Sequence, residues 1–198
     1  LDVSDKTNPI TLINHETGID FGTHDCAVTE NENYLIIADE KASGHISIWD
    51  ISDYENINRV SEYIVGSNHS VHNVYVRPGT NLAIISYYVD GTRVLDISDP
   101  TNPIEVGYFD TSDLTGLFDG NWGTYAYLPS GYIILSDRST GLYILKSPLL
   151  PNSSMGWSDC TDIVGDNFTC YGDIYQVESE VLQEIINLNT ELAGLNIE

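Results

Sequence analysis

The stretch LDISDPTNP at Leu95 to Pro103 decides the fold, because the chain has already used it twice, as LDVSDKTNP at Leu1 to Pro9 and as WDISD at Trp49 to Asp53. The spacings, 48 and then 46 residues, are those of one supersecondary unit copied along the chain. Between the copies, apolar residues alternate or run in short blocks bounded by Gly, Pro, Asn and Asp. That pattern gives short antiparallel strands rather than helices.

In the copy that carries the quoted stretch, the expected strands are Val71 to Arg77, Leu82 to Tyr88, Thr92 to Ile97 and Glu105 to Phe109. They are parted by PGTN, VDG and SDPTNP, turns whose residues tolerate or preset the required backbone angles. The preceding copy offers Asp25 to Thr29, Tyr34 to Asp39, His45 to Ile51 and Arg59 to Val65 in the same order. A third offers Gly123 to Tyr127, Tyr132 to Ser136 and Gly141 to Lys146, then breaks at SPLLPNSS with no clear fourth strand. Upstream, Ile10 to His15 reads as an orphan fourth strand of an earlier unit.

A four-stranded unit of this length repeated in tandem is the signature of a β-propeller blade, since each small sheet can bury its faces only against its neighbours. The alternative, a two-sheet sandwich, would not require the self-similarity. The expected fold is therefore all-β, a β-propeller portion of about three blades at 17–65, 66–110 and 111–148 within a unit spanning 1–148. Three blades fall short of the usual ring of about four to eight, and the chain opens on Leu inside a running repeat, so it reads as an arc of a longer protein. Residues 149–174 read as a polar loop. Over 175–198, Val181, Ile185, Leu188, Leu192 and Leu195 form an apolar stripe for a short amphipathic C-terminal helix that could self-associate.

The ordered set SVHNVYV at Ser70 to Val76, GTRVLDISDPTNPIEVGYFDT at Gly91 to Thr111 and DGNWGTYAYLPSGYIILSDRSTGLYIL at Asp119 to Leu145 resembles the LVIVD-repeat β-propellers of secreted bacterial proteins. Among these it is similar to the choice-of-anchor B family. The resemblance covers roughly residues 1–146. It implies an extracellular or surface-displayed propeller, held by one of several C-terminal anchoring modules, with no established reaction.

Seven Lys and Arg stand against 30 Asp and Glu, a formal charge of −23. Such a surface repels phosphate backbones and anionic lipid, which disfavours nucleic acid and membrane-surface partners. No run of 18 apolar residues and no signal peptide occurs in the sequence, so none of this segment is expected to insert in a membrane. Cys160 and Cys170 lie in the polar DCTDIVGDNFTC, where a disulfide is the favoured reading over a metal site that lacks its other ligands. Cys26, in HDCAV, is expected as a small core residue. The sequons at Asn68, Asn152 and Asn167 are incidental in a bacterial product.

His24 and His72 occupy equivalent places at the head of the first strand of successive units, with Trp122 at the corresponding place in the third. First strands line a propeller's channel, so His24, Asp25, His72, Asn73 and Trp122 are the channel-lining candidates. They would either hold a divalent cation or lock neighbouring blades by hydrogen bonds, the second being the expected role. Asp110, Asp113, Asp119 and Asn121 form a second candidate set in the long loop YFDTSDLTGLFDGNWG, where calcium is the cation to consider, although EF-hand spacing is absent. Ser70 with His72, or Ser130 with Asp137, lacks any nucleophile-elbow context. The function expected is a non-enzymatic, secreted or cell-surface binding or adhesion scaffold for a protein or glycan partner. The competing expectation is a metal-dependent hydrolase or lactonase-like propeller with its cation in the channel.

Overall fold

A computed structural model describes residues 1–18, 22–111, 113–128 and 130–150, together with the backbone of 169–170. These residues are all-β. The first sheet holds β1 (Thr23–Val28), β2 (Tyr34–Asp39), β3 (Ile46–Asp50) and β4 (Asn58–Tyr63). The second holds β5 (Val74–Val76), β6 (Leu82–Ser86), β7 (Thr92–Asp96) and β8 (Ile104–Phe109), and the third β9 (Asn121–Tyr125), β10 (Tyr132–Asp137), β11 (Gly141–Lys146) and β12 (Thr169–Cys170). Each sheet is an antiparallel meander in which sequence neighbours pair.

The repeated aspartates have a local physical task. Asp50 accepts the Ser52 N–H at 2.9 Å and the Ser52 hydroxyl at 2.6 Å, and Asp96 accepts the Ser98 N–H at 2.8 Å. The second aspartate of the phrase closes the next turn, with Thr101 donating its N–H to Asp99 at 3.0 Å and its hydroxyl at 2.6 Å. Asp2 and Asp5 make the equivalent bonds to Ser4 and Thr7. Short side-chain acceptors of this kind mimic a backbone turn, and here they carry the chain from the third strand of a sheet into the fourth. The third sheet has Ser147 instead, whose hydroxyl accepts the Leu149 N–H at 3.2 Å.

That sheet also corrects the sequence reading. Its fourth strand exists, but it is only Thr169–Cys170, paired with Lys146 and Leu145 from within the span expected as a polar loop. Two residues carry no alternation for the eye to find. Cys160 and residues 175–198, expected as a helical tail, lie outside the described residues. Ile10 to His15 is not a strand either: Ile10 makes an isolated bridge to Asp2, and His15 then lies edge-on to Trp49 with 5.4 Å between ring centroids. Cys26 is exposed rather than in the core, because β1 turns Asp25 and Ala27 inward and Cys26 and Val28 outward.

The core follows the strand period of two. In the middle sheet Val74, Val76, Ala83, Ile85 and Leu95 face the first sheet and pack with Ile36, Ala38, Ile46 and Ile48. The alternate residues Ile84, Val94 and Phe109 face the third and pack with Ala126, Ile133, Leu135 and Leu145. Burial on both faces is why the second strands read as unbroken apolar runs, YLIIA and LAII. Each fully buried Ile of this kind contributes about 1.5–3 kcal/mol relative to exposure.

Polar side chains cross the same interfaces. The Tyr87 hydroxyl donates to the Gly44 carbonyl at 2.7 Å, and the Ser61 hydroxyl donates to the Pro100 carbonyl at 2.6 Å. Arg77, buried, donates to the carbonyls of Ala126 and Leu128. The Ser86 and Thr124 hydroxyls meet at 2.7 Å. The three sheets therefore pack in sequence order, face on face, with their first strands β1, β5 and β9 side by side.

Candidate functional site

Each first strand begins with the same irregularity. On β1 the pairing steps from Thr23 opposite Asp39 to Asp25 opposite Ala38, which leaves His24 extra. On β9 it steps from Asn121 opposite Asp137 to Gly123 opposite Ser136, which leaves Trp122 extra. Ahead of β5, the His72 N–H donates to the Ser86 carbonyl at 2.8 Å while the Ser86 N–H donates to the Asn73 carbonyl at 2.9 Å, so two residues again share one partner. An extra residue in a bulge bends the strand and re-aims its side chain. It also shortens the regular strand, which is why β5 starts at Val74 and not at Val71.

The consequence is a row of three rings across three sheets. His24 and His72 have centroids 4.3 Å apart with planes at 39°, and His72 and Trp122 are likewise 4.3 Å apart at 40°. Tyr88 stands edge-on to both His72 and Trp122, at 5.5 and 6.0 Å. Phe118 adds a further edge contact to Tyr88 at 5.4 Å, and the Arg138 guanidinium lies 5.0 Å over the Trp122 ring. His72 is buried and His24 and Trp122 are exposed, so the row runs from a covered middle to two open ends.

Glu40 joins this row, and no sequence pattern singled it out. Its backbone N–H donates to the Gly22 carbonyl at 2.8 Å just beyond the end of β2, which aims the side chain back across β1. The carboxylate lies 3.1 Å from His24 Nδ1 and 4.0 Å from His72 Nε2. Its Oε1 accepts a short hydrogen bond from the Tyr88 hydroxyl. Burial, with the Glu40 hydrogen bond and charge added, pushes the Tyr88 phenol far up, so it stays protonated and donating. Among the described residues, His24, Glu40 and His72 bring their ligand atoms within 4.8 Å of one another.

Asp25 and Asn73 stand behind the row. Asp25 Oδ2 accepts the Asn73 side-chain N–H at 3.0 Å and the Val74 backbone N–H at 3.0 Å, tying β1 to β5. With its amide nitrogen so committed, Asn73 turns its Oδ1 to His72 Nδ1 at 2.5 Å. All five channel-lining candidates thus lie in one neighbourhood, with Asp25 and Asn73 bonded beneath the three rings.

The acidic set does not converge in this way. Asn121 is buried at the start of β9, where its side-chain N–H donates to the Thr92 hydroxyl at 2.7 Å and its backbone N–H to the Tyr88 carbonyl at 2.9 Å. Asp119 closes a turn on Gly116, whose carbonyl accepts its N–H at 3.1 Å. Asp113 is exposed and Asp110 half-buried. The sequence spacing put these four in one loop, but the turn at Gly116 and the start of β9 send their side chains to different surroundings.

Comparison with curated proteins finds no match to this chain. Residues 88–111, which run from the Tyr88 turn through β7 and β8 to Thr111, match the LVIVD repeat.

Proposed function

We propose that this chain contributes blades to an extracellular or cell-surface β-propeller of the choice-of-anchor B kind, a non-enzymatic scaffold that binds a neutral or cationic protein or glycan. The LVIVD match and three consecutively packed four-stranded meanders support the propeller reading, with the first strands facing a central channel. The observation that carries the binding role is a set of exposed aromatic rings along β9 and the loop entering it. Phe118, Trp122, Tyr125 and Tyr127 each leave 37–42% of their surface in water, and Tyr127 lies edge-on to both Tyr125 and Tyr75. Rings held on a packed sheet offer broad contact area at low entropy cost, which is why Trp and Tyr dominate recognition surfaces. The net charge of −23 turns away polyanions.

The test is a glycan array and an extracellular protein panel probed with the whole chain, followed by titration of any hit with Trp122→Ala. Loss of at least about tenfold in affinity fits truncation of an aromatic hot spot. Undiminished binding by the variant would remove the aromatic surface from the account. The competing hydrolase or lactonase reading draws on the His24, Glu40 and His72 cluster, and turnover of ester or lactone substrates that disappears in Glu40→Gln would favour it instead.

A further inference from the structure

We propose that His24, Glu40 and His72 form a binding site for one divalent transition-metal ion of the zinc type, whether or not the chain catalyses a reaction. Two imidazole nitrogens and one carboxylate oxygen are the donors that zinc and its neighbours take, whereas calcium prefers six to eight oxygens. The geometry is close to what such an ion needs. Donors about 2.0–2.1 Å from a tetrahedral zinc stand about 3.3 Å from one another. Here the carboxylate is 3.1 Å from His24 Nδ1 and 4.0 Å from His72 Nε2. No two of the three ligand atoms are more than 4.8 Å apart, so rotation of exposed His24 and half-buried Glu40 that moves their donors by about an ångström completes the closure around buried His72.

The surrounding hydrogen bonds supply a second, independent argument. Asp25 accepts from the Asn73 amide nitrogen, which leaves Asn73 Oδ1 to face His72 Nδ1. With an acceptor at Nδ1, the neutral ring carries its proton there and leaves Nε2, 4.0 Å from the Glu40 carboxylate, as the ligating nitrogen. A lone pair facing an anion at 4.0 Å is repulsive unless a proton or a metal ion lies between them. Tyr88 donates to Glu40 from the other side and fixes the carboxylate's orientation. Orienting partners of this sort, one on a ligating histidine and one on a ligating carboxylate, are what metal sites carry behind their ligands. Three protein ligands leave a fourth position, on the side where His24 meets solvent, for water or an incoming ligand.

The whole chain, freed of metal by chelation, is titrated with Zn²⁺ and with Ca²⁺ by calorimetry, and with Co²⁺ by visible absorption. All measurements use a Cys26→Ser background, because Cys26 is an exposed thiol on the same strand as His24. The expected result is one tight equivalent of Zn²⁺, a tetrahedral Co²⁺ spectrum and no competition from Ca²⁺. His24→Gln and the isosteric Glu40→Gln, both outside the buried core, weaken Zn²⁺ by more than about tenfold while leaving circular dichroism unchanged. Tyr88→Phe weakens it by about 10–100-fold, as loss of an orienting partner does. Absence of a tight equivalent, or binding indifferent to His24→Gln and Glu40→Gln, would overturn the assignment and mark any zinc uptake as diffuse attraction to the acidic surface.

Discussion

Asp25→Ala removes the clamp between the first two sheets, and its cost can be worked from two bonds. Asp25 Oδ2 accepts one N–H from the Asn73 side chain and one from the Val74 backbone, each at 3.0 Å. A hydrogen bond to a charged acceptor contributes about 1.5–3 kcal/mol net, and the two share one half-exposed oxygen, so their sum falls short of additive. Val74 is buried, and deleting the acceptor leaves its N–H without the bond that crosses the interface. A loss of about 2–3 kcal/mol follows. For a chain of this size that lowers the melting temperature by about 5–10 °C.

Asp25→Asn separates the clamp from simple loss of charge. Its amide oxygen can take the place of Oδ2 and still accept both N–H groups, but as a neutral acceptor in place of a charged one. About half the effect is expected to remain. Urea unfolding followed by far-ultraviolet circular dichroism measures both, with an unchanged m-value as the sign that only stability has moved. A loss below about 0.5 kcal/mol for Asp25→Ala would refute the clamp, since that is the size of an ordinary surface substitution. Equal losses in the two variants would place the effect in the charge and not in the bonds.

Two glycines with the same φ of +71° give a paired test. Gly79→Ala meets open space and should cost only the left-handed backbone penalty of about 1–2 kcal/mol, whereas a Cβ on Gly91 would lie 2.0 Å from the Phe109 carbonyl oxygen and should cost about 3 kcal/mol or more. Equal urea midpoints for the two variants would contradict the close approach of β7 and β8. Acidification should act in two stages. Burial raises Asp39 and Asp90 above the ordinary 3.8, so protonating them relieves the folded state as pH falls toward that value. The Ser4 amide holds Asp2 below 3.8, and the side chains of Thr7, Ser52, Asn56 and Thr101 do the same for Asp5, Asp50, Asp53 and Asp99, so the stability of these turns is present above 3.8 and lost below it. Urea melts in high salt, which screens the net charge, should show stability level or rising as pH falls to about 4 and then dropping; a steady decline from neutral pH would oppose this assignment.

The repeat made most of the architecture readable. LDVSD, WDISD and LDISD recur because two Asx turns are needed at the same place in each unit, and the apolar runs between them match β2, β3, β6 and β7 to within a residue or two. What escaped was whatever the period does not encode. β12 is two residues long and arrives after an insertion, so no alternation marks it. Cys26 looks like a core residue among Ala27 and Val28, yet the inward residues of β1 are its neighbours Asp25 and Ala27. Glu40 is one acid among many in an acidic chain, and only the fold brings it across β1 to the histidines.

The three copies also show where selection for structure ends. The bulge at the head of each first strand is common to all three, and a shared backbone irregularity is a shared requirement of packing. The residue riding on it is not shared: the third copy has Trp122 where the first two have His24 and His72. A packing requirement alone would have kept one residue type, since the backbone geometry beneath is the same. Asp25 and Asn73 meet the packing need one position later, through bonds that cross from β1 to β5 and leave the extra residue free of that duty. The two histidines then share Glu40, while Trp122 turns to Phe118 by way of Tyr88 and lies under Arg138. One repeated bulge thereby presents a nitrogen-and-oxygen donor set at one end of the row and an aromatic face at the other, and a ligand that used both would have to lie along the row, across the heads of β1, β5 and β9.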